Sequence, residues 1–212
     1  PASMNYGVLA WFEGRFAKVP PTRWTRKKPN RIALSDYRIT PPYQPEQQDG
    51  LMEVAPDFVD SECLTRFTDQ AIKWIASVAD DARRGEPFFL YLPHAMVHLP
   101  LHASDEFRGK SANGIYGDAV EEIDASTGAI VATLKELGLA EDTVILFTSD
   151  NGSRGDNGGS NGPLRGRKGQ TWEGGQRVPC IAWWPGHIQA GAECAELTAA
   201  FDLYPTFAAL AG

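Results

Sequence analysis

The sequence lacks a long hydrophobic run, a paired set of cysteines and an excess of positive charge. No apolar stretch approaches the roughly 20 residues that cross a bilayer, so nothing in it predicts a membrane span. The net charge of −7 argues against the basic surface that nucleic-acid-binding proteins present. Cys63, Cys180 and Cys194 fit neither a disulfide framework nor a C-x-x-C metal site. We therefore expect a protein without a nucleic-acid partner, whose cysteines are small buried or surface thiols.

Targeting signals and internal repeats are also missing. No signal peptide is visible in a sequence that opens on Pro1 and closes on "FAALAG". Its 212 residues, of which 42% are hydrophobic, are enough for one sizeable globular domain with a core. We expect the chain to be a segment of something longer, so the missing signal says little about the compartment.

Two regions differ in their patterning. Residues 1–60 are irregular, with prolines that interrupt any long element. Residues 61–212 carry regular apolar patterns. Helical spacing predicts helices within 60–85, 116–138 and 202–212, the first starting at Asp60 or Ser61 and the first two ending at glycines. Short apolar runs at 87–93, 142–150 and 177–186 predict strands covered on both faces. This order favours an α/β fold with a largely parallel central sheet flanked by helices.

Polar side chains follow two of the predicted strands. His94 and His98 come after the first strand, and Asp150 and Asn151 end the second. Ligands of open α/β sheets bind at the carboxyl ends of strands. A carboxylate beside an amide oxygen suits Ca²⁺ or Mg²⁺ rather than a soft metal. The alternative is a simple turn, in which Asn151 and Gly152 would accept a positive φ.

Two further cationic features remain open on the residues alone. His94, His98 and His102 recur every four residues, as zinc ligands on a helix would, but Pro93 and Pro100 argue against a helix there. Lys168 lies in a glycine-rich stretch and could hold a tetrahedral anion, or could be an ordinary exposed lysine.

Four stretches together resemble the sulfatase family of the alkaline-phosphatase-like superfamily, in the branch of arylsulfatase A and N-acetylgalactosamine-6-sulfatase. They are "PFFLYLPHAMVHLPL" (87–101), "YGDAVEEIDASTGAIVATLKELGLAEDT" (116–143), "FTSDNG" (147–152) and "GGSNGPLRGRKGQTWEGGQRVPCIAWWPGHIQAG" (158–191). The resemblance makes 61–212 the central and C-terminal part of a sulfatase catalytic domain. It makes 1–60 an irregular, Pro-rich region of that domain.

The resemblance implies a role for each site residue. Asp150 and Asn151 match the ligands of Ca²⁺, with Mg²⁺ as the weaker alternative. Lys168 matches the lysine that contacts the sulfate, and His98 the histidine near the bridging oxygen of the ester. The implied substrate is a sulfated small molecule or a sulfated glycan. The implied compartment is periplasmic, secreted or lysosomal.

The sequence departs from the family at the nucleophile. Sulfatases use a formylglycine made from Cys or Ser in C/S-x-P-x-R, and no such pattern occurs in these 212 residues. We therefore expect a sulfuric ester hydrolase whose nucleophile lies upstream, with this segment inactive by itself. Two alternatives stay open, namely phosphate ester chemistry within the superfamily and a non-catalytic binding module. The absence of histidine from 152–175 weighs against the first of these.

Overall fold

The computed structural model describes residues 9–26 and 51–212, with the backbone alone at 23–26 and 51–53. The strands are β1 (Phe12–Glu13), β2 (Phe16–Ala17), β3 (Arg23–Arg26), β4 (Leu51–Val54), β5 (Ile145–Thr148) and β6 (Cys180–Trp183). The α-helices are α1 (Cys63–Arg83), α2 (Gly114–Glu136), α3 (Glu173–Gln176) and α4 (Leu203–Ala211), with 3₁₀ turns before α1 and α4. Among these residues, none of the helices combines the length and the hydrophobicity that a bilayer span requires. Residues 1–8 and 27–50 of the predicted Pro-rich region lie outside the described residues, and its boundary at residue 60 stays a prediction.

The two long helices confirm the periodicity argument. A 3₁₀ turn at Asp60–Glu62 leads into α1, and the backbone turns out of the helix at Gly85, where φ is +91°. Helix α2 likewise stops just before Gly138, where φ is +68°. A glycine accepts this left-handed conformation without a Cβ penalty, which is why it ends helices so often.

The core lies along α1 and α2, which pack against each other. One end is an apolar cluster built on the start of α1, of which Trp11, Phe58 and Leu64 are buried members. The other end is a smaller cluster around Ile75 and Leu134, both only 1% exposed. These helices therefore bury their apolar faces within the chain itself.

The predicted parallel sheet is wrong for the described residues. Each of their three sheets has two strands in antiparallel pairing, β1 with β2, β3 with β4 and β5 with β6. Residues 87–93, predicted as a strand, are in no sheet. A strand is defined by hydrogen bonds to a neighbour, and an apolar run cannot tell whether that neighbour is present.

The expectation that both faces of the predicted strands are covered is also wrong here. Along residues 88–92 the side chains alternate, so that Phe88 and Leu90 pack on the Ile75 cluster while Phe89 and Tyr91 are exposed. Ile181 of β6 is 61% exposed. This part of the chain has the apolar composition of a sheet that is buried on both faces, but several of its side chains are exposed.

Candidate functional site

The segment after β5 carries Asp150 and Asn151 and is held by backbone contacts of its glycine. The Gly152 amide donates to the Gly175 carbonyl at 3.0 Å. A Cβ on Gly152 would lie 2.0 Å from the Gly174 carbonyl oxygen, so no side chain fits there. Its φ lies outside the left-handed region. The Asp-Asn-Gly sequence thus requires glycine for close backbone approach, and the positive φ at Gly152 that a simple turn would use is absent.

The glycine-rich stretch around Lys168 folds onto α3 for the same reason. The Gly174 amide donates to the Arg165 carbonyl at 2.7 Å, and a Cβ on Gly175 would meet the Gln170 carbonyl at 2.2 Å. The Arg165 guanidinium stacks over the Trp172 ring at 3.8 Å from its centroid, a cation–π contact that closes the loop. The buried glycine pair of α3 is therefore a platform for the Lys168 loop.

The structure brings the Lys168 segment beside the Asp150–Asn151 segment. The Lys168 amide donates to the Ser153 carbonyl at 3.0 Å, two residues beyond Asn151. Lys168 is half-buried and Asp150 is exposed. Within the described part of the chain, neither the ammonium of Lys168 nor the carboxylate of Asp150 has an ion-pair or hydrogen-bond partner. Two opposite charges without partners among the described residues thus lie on neighbouring segments.

His98 lies in the turn that follows residues 87–93, and it is half-buried. Its Nδ1 is 2.8 Å from the Leu99 carbonyl. Because a carbonyl only accepts, this contact assigns the proton of the neutral ring to Nδ1. The convergence of His98 with Lys168 and Asp150 stays a prediction.

The other two histidines have separate structural partners. Residues 93–103 form no helix, so the three histidines do not line one helical face. His102 Nε2 is 3.1 Å from Asp60 Oδ2 in a buried pair. His94 Nε2 is 3.5 Å from Ser126 Oγ, and burial lowers the His94 pKa. The zinc alternative for this histidine series is therefore wrong, because a four-residue spacing lines up side chains on one face of a helix and no helix forms there.

Two acids of α2 hold the segment after His98, and the sequence patterns did not reveal them. Asp118 accepts the backbone amides of residues 109–111 at 2.8–3.1 Å. Burial would raise its pKa, but these hydrogen bonds outweigh burial and hold the pKa below its ordinary value. Glu122 accepts the Ser104 amide at 2.8 Å and the Thr65 hydroxyl at 3.1 Å. One sequence signal could have found them: Asp118 and Glu122 lie on the face of α2 that packs against the rest of the chain.

The donor set fits a hard cation but does not complete its shell. Asp150 and Asn151 supply oxygen atoms, the ligand type that Ca²⁺ and Mg²⁺ prefer, yet Ca²⁺ takes six to eight. No group of three or more His, Cys, Asp or Glu within residues 9–26 and 51–212 could hold a metal ion. A complete shell would therefore need ligands beyond Asp150 and Asn151.

Comparison with known proteins identifies the wider family. A sequence model described as Sulfatase matches residues 15–212. The chain is 46% identical over 150 residues to N-acetylgalactosamine-6-sulfatase of Mus musculus, a match covering 69% of this chain and 28% of that protein. It is 52% identical over 134 residues to steryl-sulfatase of Homo sapiens, covering 59% and 23% respectively.

The fold agrees with that likeness. The crystal structure of the PsFucS1 sulfatase from Pseudoalteromonas sp. superposes with a TM-score of 0.67 at 38% identity, covering 72% of this chain and 30% of that one. The chain spans about a quarter of the length of these curated relatives. The resemblance stated from the four motifs is thereby confirmed, and the chain belongs to the sulfatase family.

Proposed function

We propose that the chain supplies the charge-binding part of an enzyme that hydrolyses sulfate esters. We use "parent enzyme" for a protein that carries these residues together with a C/S-x-P-x-R sequence. The observation that carries the proposal is the hydrogen bond from the Lys168 amide to Ser153, which fixes a lysine loop beside the Asp150–Asn151 segment. Family membership gives this pairing its chemical meaning, because a sulfate ester is an anion that needs positive charge around it.

The residues divide the work by charge. Asp150 and Asn151 would hold Ca²⁺, which supplies Lewis-acid stabilisation of the sulfate oxygens when bound. Lys168 would add a compact positive charge to the same oxygens. His98 would support the departing alcohol oxygen, and it would give that oxygen a proton only in its imidazolium form. The formylglycine would supply the nucleophile, and no residue of this chain takes that role.

The substrate proposal stays at the level of an aryl or sugar sulfate. The relatives named above, an N-acetylgalactosamine-6-sulfatase and a steryl-sulfatase, carry different alcohols in their names at similar identity. The shared part is the sulfate, and the site residues that we assign bind that part. An exported compartment, whether periplasmic, secreted or lysosomal, belongs to the same proposal.

The test is turnover of a chromogenic aryl sulfate by the parent enzyme with and without Lys168. Lys168→Ala should lower kcat by about 10²–10³-fold, the usual loss when one preorganised charge contact is removed. Lys135→Ala, at the end of α2, is the matched control and should leave kcat unchanged. Equal rates for Lys168→Ala and wild type would reject the assignment.

The 212-residue chain tests the location of the nucleophile. It should hydrolyse no aryl sulfate with added Ca²⁺, because a resistant anion needs the covalent step that the formylglycine provides. Turnover above the buffer rate that disappears in Lys168→Ala would place the nucleophile inside these residues. It would also favour a different chemistry from the one proposed.

A further inference from the structure

The loop 153–161 is closed at its base by one asparagine side chain. Asn161 Oδ1 accepts the Ser153 amide at 2.7 Å, and Asn161 Nδ2 donates to the Ser153 carbonyl at 2.7 Å. The same Nδ2 donates to the Gly166 carbonyl at 3.2 Å. Both amide hydrogens and the oxygen of this side chain are therefore used on two backbone segments.

Those two segments are the ones that carry the proposed site. Ser153 lies two residues after Asn151, and Gly166 lies two residues before Lys168. The Ser153 carbonyl also accepts the Lys168 amide at 3.0 Å, so it is shared between Asn161 and Lys168. The position of the lysine loop relative to the metal-ligand segment thus depends on contacts that meet at Ser153.

We propose that Asn161 is a positioning residue that sets the distance between the Ca²⁺ ligands Asp150 and Asn151 and the sulfate-binding Lys168, an inference that rests on the proposed function. Asn161 bonds the backbone of both segments and acts on the reaction through them. Its effect is on charge geometry, because a cation and an ammonium must face the same sulfate group. A small shift of either one weakens a preorganised site.

Other contacts hold the same segments, so loss of Asn161 should leave the fold intact. The Gly152 amide still bonds Gly175, and the Gly174 amide still bonds Arg165. Each hydrogen bond of Asn161 makes a modest net contribution to stability. Asn161→Ala removes them, while Asn161→Asp also places a carboxylate against the Ser153 and Gly166 carbonyls, where the amide donated before.

The chain offers a matched control in the same loop. Asn157 is also half-buried, and its Nδ2 donates to Asp156 Oδ1 at 2.7 Å, a contact between neighbouring residues. Asn157→Ala removes an asparagine from the loop without touching the segments that carry the site. A difference between the two variants therefore reports the closure at Ser153.

The experiment measures aryl sulfate hydrolysis by the parent enzyme as a function of Ca²⁺ for wild type, Asn161→Ala, Asn161→Asp and Asn157→Ala. In Asn161→Ala, we expect the Ca²⁺ concentration for half-maximal activity to rise and kcat to fall, each by about tenfold, on the scale of one or two lost hydrogen bonds. Asn161→Asp should lose more, and Asn157→Ala should match wild type. A merely structural role would lower Tm and leave the Ca²⁺ dependence unchanged, and that result would overturn the proposal.

A readout without activity separates this inference from the proposed function. Amide hydrogen exchange in the 212-residue chain should become faster at Ser153 and Lys168 in Asn161→Ala and stay at the wild-type rate in Asn157→Ala. Unchanged exchange at both amides would overturn the positioning role even in a parent enzyme that is active. A wild-type parent enzyme without sulfate ester turnover would instead overturn the proposed function, and faster exchange would still establish the closure.

Discussion

The α1–α2 pair buries large apolar side chains, whereas residues 87–92, β5, β6 and α4 leave several of theirs exposed. We call these last four segments the strand region. Ile75 of α1 is 1% exposed and Ile181 of β6 is 61% exposed. Leu134 of α2 is 1% exposed and Leu210 of α4 is 50% exposed. An apolar pattern therefore marks a face that is suited to burial, but the cover of that face has to come from elsewhere in the structure.

The proposed site lies beside the strand region, where large apolar side chains are more exposed. Its loops lie between β5 and β6 in the chain. Close backbone contacts at Gly152, Gly174 and Gly175, together with the Asn161 side chain, hold these loops in place. Polar contacts of this kind depend on direction more than on area, so they can fix a loop where little apolar surface is buried. The long helices bury the apolar core, and the glycine-rich loops position the segments that carry the proposed site residues.

The largest expected effect is on the core of the helix pair. Ile75→Ala removes a fully buried side chain and should lower the free energy of unfolding by about 2–5 kcal/mol. Ile181→Ala is the matched change in the strand region and should cost less than about 1 kcal/mol, because its side chain is already exposed. Urea unfolding followed by circular dichroism measures both. Similar losses in the two variants would break the comparison between the regions.

The next largest effect is expected for alanine substitutions of Gly152 and Gly128, which should change stability in opposite directions. In Gly152→Ala, the new Cβ meets the Gly174 carbonyl and should cost about 1–3 kcal/mol. Gly128→Ala in α2 meets nothing within 4 Å and should stabilise the chain by about 0.4–1 kcal/mol. Thermal unfolding of the two variants gives the signs directly. A neutral Gly152→Ala would show that the site loops yield easily.

The smallest expected effect is a pH dependence of stability that originates at His94, whose ring lies against Ser126 of α2. Because burial lowers the His94 pKa, the folded chain keeps this ring neutral while the unfolded chain protonates it near pH 6.5. The unfolded state then binds more protons. The stability contribution is thus complete above about pH 6.5 and is lost as the pH falls toward the lowered pKa.

Denaturant unfolding across that pH range checks the sign. His94→Gln should flatten the slope of unfolding free energy against pH, and His187→Gln, which changes an exposed histidine, should keep the wild-type slope. An unchanged slope in His94→Gln would assign the pH dependence to other groups. The Asp118 carboxyl acts at lower pH, since its lowered pKa contributes stability that is lost only as the pH falls below about 4.

The sequence predicted the local elements better than their partners. Helices α1 and α2 follow from spacing and from the glycines at 85 and 138, because both signals are local. The pairing of β5 with β6 and the absence of pairing at 87–93 depend on distant parts of the chain, so the sequence could not show that the described strands pair antiparallel. Strand composition reports burial in a finished sheet, which the described residues do not form.

The site shows the same limit at the scale of side chains. Motifs selected Asp150, Asn151, Lys168 and His98, and these assignments stay predictions. The contacts that hold the loops were not visible in the sequence, because Asn161 is one of three asparagines between 151 and 161. Only the fold shows which of them bonds two backbone segments at once.

The most direct test of the site is a crystal structure of the parent enzyme grown with Ca²⁺. The account predicts a cation with oxygen atoms of Asp150 and Asn151 at about 2.3–2.6 Å. It also predicts that the Lys168 ammonium and the His98 ring lie on the side of the site that faces this cation. An Asp150 side chain turned away from any cation, or a Lys168 ammonium turned away from it, would contradict the account.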